Sequence, residues 1–220
     1  MYESHIKRSL TRAENGESNI DPKILEFDGM SGWVTRHFYN NICSLQDTKY
    51  LEIGSYSGST LCSAICNNKI KATAIDNWSQ FDANAAKQKF NKRVEMFKED
   101  SKISVIEDDC WNVQKRIRGK FNVYLYDGPH GHVHHRDALL KFHRNLTDNF
   151  IFIVDDWNWL QVRNGTFEAI EQLGYDTVFF EQRRTGSKRI QRKNGHPRFH
   201  GRESKWHNGI GIFELKKSKK

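Results

Sequence analysis

Hydrophobic and polar positions divide the chain into short apolar runs separated by segments with helical spacing. The apolar runs are rich in β-branched and aromatic residues and predict five strands, at 50–54, 71–76, 103–109, 121–126 and 150–154. Helical spacing follows each of them, at 59–67, 81–98, 111–118, 134–145 and 166–173. This repeated alternation of strand and helix predicts right-handed crossovers and a parallel sheet with helices on both faces.

The end of the chain departs from this alternation. Two further apolar runs, at 175–180 and 210–215, have no helical pattern between them. They predict an antiparallel hairpin at the sheet edge, with its loop at 182–208. The remaining segments predict a loose arm at 1–20, one or two helices within 21–45 and a basic tail at 217–220. A chain of 220 residues suits a single domain, which we place at 21–216.

The composition is that of a globular protein. Aromatic residues make up 12% of the chain, enough for a sizeable core, and no apolar run approaches the length of a membrane span. The first residues are polar and lack the apolar stretch of a signal peptide. The four cysteines form no Cys-x-x-Cys pair, so we expect reduced thiols and a cytoplasmic protein.

The net charge of +8 is concentrated towards the end of the chain. Between 183 and 205 nine lysines and arginines accompany one glutamate, and the last five residues are KKSKK. Such a run is often a solvated loop without a partner. It also fits attraction to an anionic partner, namely a phosphate, a nucleotide, an acidic glycan or a nucleic acid. The sequence leaves both interpretations open.

All five predicted parallel strands end in glycine or in an acidic residue. The first strand runs into a turn that contains Gly54 and Gly58. The other four end in acids, which are in chain order Asp76, then Asp108 and Asp109, then Asp127, and then Asp155 and Asp156. In open parallel sheets, ligands bind outside the carboxyl ends of the strands. This shared feature predicts a functional site at that edge more strongly than any single motif does.

The first strand leads into the segment LEIGSYSGST, whose glycines let the backbone turn sharply and approach a ligand. The segment matches neither the Gly-x-Gly-x-x-Gly pattern nor a P-loop, and glycine turns also simply connect strands to helices. About twenty residues further on, Asp76 is suited to accept hydrogen bonds from ribose hydroxyls. Trp78 is then placed to cover an adenine face. Asp109 either accepts from the adenine amino group or belongs to a plain polar turn.

Together these motifs resemble a known enzyme family. LEIGSYSGST, the acid after the second strand and VIEDD resemble class I S-adenosylmethionine-dependent methyltransferases. YDGPHGHVHHRDAL and VDDW are similar to their macrocin O-methyltransferase-like and catechol O-methyltransferase-like, metal-dependent branch. The resemblance spans 28–215 and implies a Rossmann-like, mostly parallel seven-stranded sheet whose last strand is antiparallel. It implies S-adenosylmethionine as the cofactor. The implied cofactor-binding residues are Glu52, Gly54, Ser55, Tyr56, Gly58, Ser59, Thr60, Asp76, Asn77, Trp78, Asp109 and Asp127.

Asp127, Asp155 and Asp156 end two predicted neighbouring strands, so their carboxylates are expected to lie together. Clustered carboxylates repel one another unless they bind a cation, and oxygen ligands favour Mg²⁺ or another divalent cation. The resemblance implies the same three metal ligands. A structural alternative is that Asp156 caps a helix and the other two form loop hydrogen bonds. A bound cation would lower the pKa of an acceptor hydroxyl and fix its oxygen in line with the methyl group.

The base that removes the hydroxyl proton is predicted to be His130. Macrocin-type enzymes often carry an acid two residues after the first metal aspartate, where this chain has Pro129. Catechol-type enzymes carry a lysine three residues after it, where this chain has His130. An imidazole acts as a base near neutral pH. We therefore predict His130 and Asp127 as the catalytic residues.

The other histidines of this segment have two possible roles. Two of the three, His132, His134 and His135, are expected on the outer face of the next helix. A zinc site is the alternative, although the spacing is not that of structural zinc sites.

Three side chains after the fifth strand also have alternatives. Trp157 is predicted to line the substrate pocket, and Trp159 belongs either to the pocket or to the core. Arg163 either meets an anionic substrate or forms a surface salt bridge.

Three classes of function follow from these residues. The first is an S-adenosylmethionine- and Mg²⁺-dependent O-methyltransferase of a small hydroxylated acceptor, for example a sugar or an anionic molecule. The second is a nucleic-acid or protein methyltransferase that holds its polymer with the basic loop. The third is a non-catalytic binding protein of the same fold, which the complete set of acids disfavours.

Overall fold

We describe the fold from a computed structural model, in which residues 1–185 and 205–218 are described. Seven strands form one sheet. Their bounds are β1 Lys49–Ile53, β2 Lys71–Asp76, β3 Lys102–Glu107, β4 Phe121–Tyr126, β5 Leu146–Val154, β6 Asp176–Arg183 and β7 Ile210–Lys216. The strand order is β3-β2-β1-β4-β5-β7-β6.

The sheet is parallel from β3 to β5 and antiparallel from there onwards. Parallel pairing joins β3 to β2, β2 to β1, β1 to β4 and β4 to β5. The last strand, β7, runs antiparallel to both β5 and β6 and lies between them. The predicted fold class, a mostly parallel seven-stranded sheet with an antiparallel last strand, is confirmed. The hairpin places its second strand inside the sheet, so β6 is the edge strand.

Seven helices flank the sheet within the described ranges. Their bounds are α1 Glu3–Glu14, α2 Pro22–Leu25, α3 Trp33–Ile42, α4 Ser59–Ile65, α5 Ala83–Phe97, α6 His132–Phe142 and α7 Leu160–Leu173. Buried residues of α1 to α5 pack on one face of the sheet. Buried residues of α6 and α7 pack on the other face. Helices α6 and α7 follow β4 and β5 along the chain. The helices of the second face therefore lie on the half of the sheet that contains β4 and β5.

The start of the chain is more ordered than its polar composition predicts. Instead of a loose arm, residues 3–14 form the amphipathic helix α1, which buries Ile6, Leu10 and Ala13. This helix packs against α3. The spacing of these three apolar residues is helical, but they are surrounded by charged residues that obscured the pattern. The one or two helices expected within 21–45 are α2 and α3.

The segment after β3 also differs from its prediction. The expected helix at 111–118 is a single 3-10 turn at Cys110–Asn112, followed by turns and irregular chain. This segment is rich in basic residues, and its buried apolar residues are Val113 and Ile117. Two such residues are too few to stabilise a helix of this length by packing. The basic residues are Lys115, Arg116, Arg118 and Lys120.

Most of the predicted basic loop lies outside the described residues, which include only its two ends, 182–185 and 205–208. All four cysteines are unpaired and buried. None of the described helices is both long enough and apolar enough to cross a membrane.

Candidate active site

A cleft of about 640 Å³ lies at the carboxyl edge of the parallel strands, where the sequence places its acids. Aspartates from four strand ends line it: Asp76, Asp108, Asp109, Asp127, Asp155 and Asp156. No lysine or arginine of the described ranges lines the cleft. The cleft is therefore strongly acidic, although the chain as a whole is basic.

The glycine turn after β1 lies against the end of β4. Gly54 has a φ of +87°, which favours glycine, and its N–H donates to the carbonyl of Ile75 at 2.9 Å. A Cβ at this position would lie 1.9 Å from the carbonyl oxygen of Asp127. The glycine thus brings the turn and the Asp127 segment together at the floor of the cleft.

Five of the predicted cofactor-binding residues support the turn from behind and do not line the cleft: Glu52, Ser55, Gly58, Ser59 and Thr60. The fully buried Glu52 carboxylate accepts hydrogen bonds from the hydroxyls of Tyr50 at 2.7 Å and Thr60 at 3.0 Å. Burial raises the pKa of Glu52 to about 7. Ser59 contacts the Ser31 hydroxyl at 3.0 Å and so ties α4 to the chain before α3.

Asp76 and Trp78 shape the next turn. One carboxylate oxygen of Asp76 accepts from the N–H of Tyr56 at 2.8 Å, and the other accepts from the N–H of Trp78 at 2.7 Å. The Trp78 indole donates to the carbonyl of Tyr56 at 2.8 Å and packs on Phe90. Trp78 is therefore mostly buried under the glycine turn. Asp76 lines the cleft beside Asn77, and each of its oxygens has capacity for a further hydrogen bond.

Exposed aromatic residues that the sequence does not predict also line this half of the cleft. Phe81 is 70% exposed and lies edge-on to Tyr56, with 5.7 Å between ring centroids. Trp111 lines the opposite wall. Phe81 falls at the predicted start of a helix, where an aromatic residue looks like part of the apolar face. Its exposure is visible only after α5 is seen to begin at Ala83.

Asp109 lies at the cleft wall and also has a structural role. Its carboxylate accepts from the N–H of Trp111 at 2.9 Å and caps the 3-10 turn. Asp108 pairs with Arg116 outside the cleft. Both sequence interpretations of Asp109 are therefore compatible with its position.

Three aspartates meet at the other half of the cleft, as expected from the ends of β4 and β5. The carboxyl groups of Asp127 and Asp155 lie within hydrogen-bonding range of each other. Burial and the neighbouring carboxylates raise the pKa of both Asp127 and Asp155 well above its usual range. Asp156 is buried, and its Oδ1 has no hydrogen-bond partner within the described part of the chain. A buried carboxylate oxygen without a hydrogen-bond partner favours a nearby cation.

His130 joins this cluster. Its Nε2 lies 3.1 Å from Oδ2 of Asp156 and 4.0 Å from Oδ1 of Asp127. Burial lowers the pKa of His130, although the Asp156 charge opposes the shift, so the imidazole is neutral at pH 7. The structure thus brings together both predicted catalytic residues and the three predicted metal ligands.

The remaining histidines are arranged differently from the prediction that two of them lie outside. His132 is on the outer face, with its Nε2 3.0 Å from Glu168 of α7. His134 lines the cleft and stacks on Trp111. His135 is buried against Tyr126 and His130. Helix α6 begins at His132, two residues before its predicted start, so all three histidines lie in its first turn. Successive residues of a helix point about 100° apart, so the three side chains meet different surroundings.

Of the two tryptophans after β5, Trp157 differs from its predicted role, and Trp159 takes the pocket alternative of its two. Trp157 is fully buried in the core, where its indole donates to Oε1 of Gln182 at 2.8 Å. Trp159 is 40% exposed, lines the cleft and lies edge-on to His130. Arg163 donates to the carbonyls of Trp157 at 2.6 Å and Asn158 at 2.7 Å, which fixes the loop before α7. The pocket tryptophan is thus Trp159.

The fit of a metal ion is chemically good but not geometrically complete. The donor set is entirely carboxylate, and the buried Asp156 Oδ1 has no partner, which suits a hard cation. However, no group of three His, Cys, Asp or Glu side chains within the described ranges is spaced to hold a metal ion. The histidines of the described ranges likewise form no group that is spaced to hold zinc.

Comparison with known proteins identifies the enzyme class. Residues 51–157, from β1 to the loop after β5, match the model of a family described as "Methyltransferase domain". The predicted enzyme class, a methyltransferase, is confirmed. The match covers the glycine turn and all the acids of the cleft. No protein with a curated description matches the chain.

Solved structures resemble the methyltransferase domain and its flanking elements in fold. The O-methyltransferase TomG from Streptomyces achromogenes, in complex with SAM, has a TM-score of 0.55 at 10% identity, over 94% of this chain and 89% of TomG. An O-methyltransferase from Bacillus cereus, in complex with SAH, has a TM-score of 0.53 at 10% sequence identity. The alignment covers 97% of this chain and 91% of that enzyme. A protein from Thermoplasma acidophilum has a TM-score of 0.53 at 12% sequence identity. The alignment covers 98% of this chain and 99% of that protein.

Proposed function

We propose that this methyltransferase uses S-adenosylmethionine to methylate a hydroxyl group of a small acceptor. The acidic lining of the cleft is the observation that carries the proposal. Six aspartates line it, and no lysine or arginine of the described ranges does. S-adenosylmethionine carries a positive sulfonium, whereas a dinucleotide carries a negative pyrophosphate that such a wall would repel. The two O-methyltransferases of similar fold support the choice of oxygen as the acceptor atom.

The cofactor is proposed to lie over the glycine turn. Asp76 would accept hydrogen bonds from the ribose hydroxyls through the lone pairs that Tyr56 and Trp78 leave open. The exposed Phe81 is better placed than the buried Trp78 to stack on the adenine. Asp109 would accept from the adenine amino group at the end of β3.

His130 is proposed as the base. The neutral imidazole, held 3.1 Å from Asp156, would take the proton of the acceptor hydroxyl as the acceptor oxygen bonds to the methyl carbon. The bond between that carbon and the sulfonium sulfur would break at the same time, and S-adenosylhomocysteine would leave with the electron pair. The Asp156 carboxylate would then stabilise the imidazolium that forms. The exposed ring of Trp159 lies next to His130 and would bind the acceptor by contact with its apolar face.

A divalent cation is proposed at Asp127, Asp155 and Asp156, as the resemblance to metal-dependent O-methyltransferases implies. Mg²⁺ bound there would supply a Lewis acid that lowers the pKa of the acceptor hydroxyl. Two of these carboxyl groups, those of Asp127 and Asp155, lie within hydrogen-bonding range of each other, and burial together with the neighbouring carboxylates raises the pKa of both. Binding of a cation would remove that mutual repulsion.

The experiment is a release assay for S-adenosylhomocysteine with a panel of sugars, phenols and other hydroxylated small molecules. Wild type should release it with at least one acceptor. His130→Gln should lose roughly 10²- to 10⁴-fold in kcat while still binding S-adenosylmethionine. Equal kcat values for the two proteins would remove His130 from the mechanism.

The cation is tested separately by calorimetric titration of Mg²⁺ and Mn²⁺ into the metal-free protein. Wild type should bind one ion, and Asp155→Asn should weaken that binding at least tenfold without changing the affinity for S-adenosylmethionine. Full acceptor methylation in excess EDTA, together with no heat of metal binding, would contradict the cation and leave the cofactor assignment intact.

A further inference from the structure

Three lysines lie in register at the start of the adjacent parallel strands β1, β2 and β3. Lys49 of β1 pairs in register with Lys71 of β2, and Lys71 pairs in register with Lys102 of β3. Neighbouring strands are about 4.8 Å apart, so the row extends over about 10 Å. All three side chains are exposed. We call these three residues the lysine row.

Because side chains alternate along a strand, residues in register share one face of the sheet. Lys49 lies two residues before Leu51, which packs in the cluster formed with α6 and α7. The lysine row is therefore on that face, but on the half of the sheet away from β4 and β5. The chain between β3 and β4 has only a 3-10 turn there, and it leaves the row and Ser104 exposed.

The lysine row has no internal neutralisation. None of its three ammonium groups forms an ion pair with an acid of the described ranges. Like charges directly opposite one another on neighbouring strands destabilise a sheet. Lys115, Arg118 and Lys120 add exposed positive charge on the chain that follows β3. This surface thus carries a high density of positive charge, and a bound anion would reduce the repulsion within it.

We propose that the lysine row binds the phosphate backbone of a single-stranded nucleic acid. A straight row of evenly spaced cations suits a linear polyanion whose charges repeat along a flexible chain. The polar side chains next to the row, Ser104, Thr73 and Asn122, offer further hydrogen bonds to phosphate. The exposed Val105 of β3 follows Ser104 directly and therefore lies on the opposite face of the sheet. No large exposed hydrophobic side chain of the described ranges lies on the face of the lysine row at these three strands, which disfavours insertion into a membrane. Because none of the described aromatic residues is exposed beside the row to stack on bases, binding should not depend on base sequence.

This surface is separate from the cleft. The lysines start the parallel strands and the aspartates follow their ends, five or six residues and about 16 to 20 Å away. The proposal therefore goes beyond the methyl transfer proposed above and does not depend on it. Binding of nucleic acid by the lysine row leaves the acidic cleft free for the cofactor.

The test measures binding of two fluorescein-labelled oligonucleotides by fluorescence anisotropy, a 12-nucleotide poly-U RNA and an oligo-dT of the same length. The KCl concentration is varied from about 50 to about 200 mM. Each neutralised phosphate of a single strand contributes about 0.7 to the slope of log K against log salt concentration. The triple variant Lys49→Gln, Lys71→Gln, Lys102→Gln should therefore lower the slope by about 2 with either oligonucleotide.

The matched control removes the same charge elsewhere, as Lys23→Gln, Lys92→Gln, Lys98→Gln. These residues lie on α2, on α5 and at the end of α5. The control should keep the wild-type slope. An unchanged slope in the triple variant, or an equal loss in the control, would overturn the proposal. So would binding to anionic lipid vesicles that the triple substitution abolishes while oligonucleotide binding persists.

A second measurement follows from the repulsion within the row. Lys71 has a like charge on each side, so Lys71→Gln should raise the thermal midpoint at low ionic strength and not at high salt. Oligo-dT should raise the midpoint of wild type more than that of the triple variant. A lower midpoint for Lys71→Gln at low salt, or equal stabilisation of both proteins by oligo-dT, would contradict a strained cation row.

Discussion

Gly54 and Asp127 are in contact through their backbones, and this contact sets the floor of the cleft. A Cβ on Gly54 would lie 1.9 Å from the Asp127 carbonyl oxygen, and the φ of +87° already favours glycine. Gly54→Ala must therefore separate the cofactor turn from the segment that carries Asp127. We expect about 1 to 3 kcal/mol of lost stability from the backbone conformation alone, and additional loss from the clash. Binding of S-adenosylmethionine should fall with it.

The chain offers a matched control for this substitution. Gly119 has a similar φ of +92°, but nothing lies within 4 Å of a Cβ built there. Gly119→Ala should lose only the stability that the unfavourable backbone conformation costs, and it should leave cofactor binding unchanged. Chemical denaturation and calorimetry of both variants make the comparison. Equal losses of stability and equal affinities in the two variants would show that the contact with Asp127 is unimportant.

The two tryptophans after β5 should respond in opposite ways to truncation. Trp157 is fully buried, so Trp157→Ala should cost about 3 to 5 kcal/mol of stability. Trp159 is 40% exposed beside His130, so Trp159→Ala should change stability little but raise the KM of the acceptor. Urea denaturation and acceptor kinetics separate the two effects. A large loss of stability in Trp159→Ala with an unchanged KM would assign it to the core.

The buried His135 should make stability depend on pH. Burial, with the His130 and His134 charges, lowers its pKa to about 3, below the value of about 6.5 in an unfolded chain. Between these values the unfolded chain binds more protons, so stability should fall as pH falls below 6.5, at up to about 1.4 kcal/mol per pH unit. His135→Phe removes this group. Between pH 7.5 and 5.5, wild type should therefore lose roughly 1 kcal/mol more than the variant in urea denaturation. Parallel losses would show that His135 is not buried as a neutral group.

The fold was predictable because periodicity and strand-end chemistry agree. The acids of the cleft follow buried strands, and parallel pairing alone brings Asp127, Asp155 and Asp156 together. The bounds of β2 and β4 are those expected from their apolar runs. The sequence also predicted the single hairpin that makes the last strand antiparallel.

What the sequence did not predict depends on side-chain direction and on packing between distant segments. Trp157 and Trp159 are two residues apart, and only the packing of β7 and α7 on the first of them distinguishes core from cleft. Phe81 became a cofactor candidate only once α5 was seen to start after it. The register that aligns Lys49 with Lys71 and Lys102 is a property of pairing across the sheet, which no local pattern contains.

The most direct test of the account is calorimetric titration of S-adenosylmethionine and of NAD into wild type and Asp76→Asn. The acidic cleft predicts micromolar-range binding of S-adenosylmethionine to wild type and no heat with NAD. Asp76→Asn keeps one oxygen acceptor but loses the charge and part of the turn's hydrogen bonding, so it should weaken S-adenosylmethionine binding at least tenfold. Tight binding of NAD, with no heat from S-adenosylmethionine, would contradict the account.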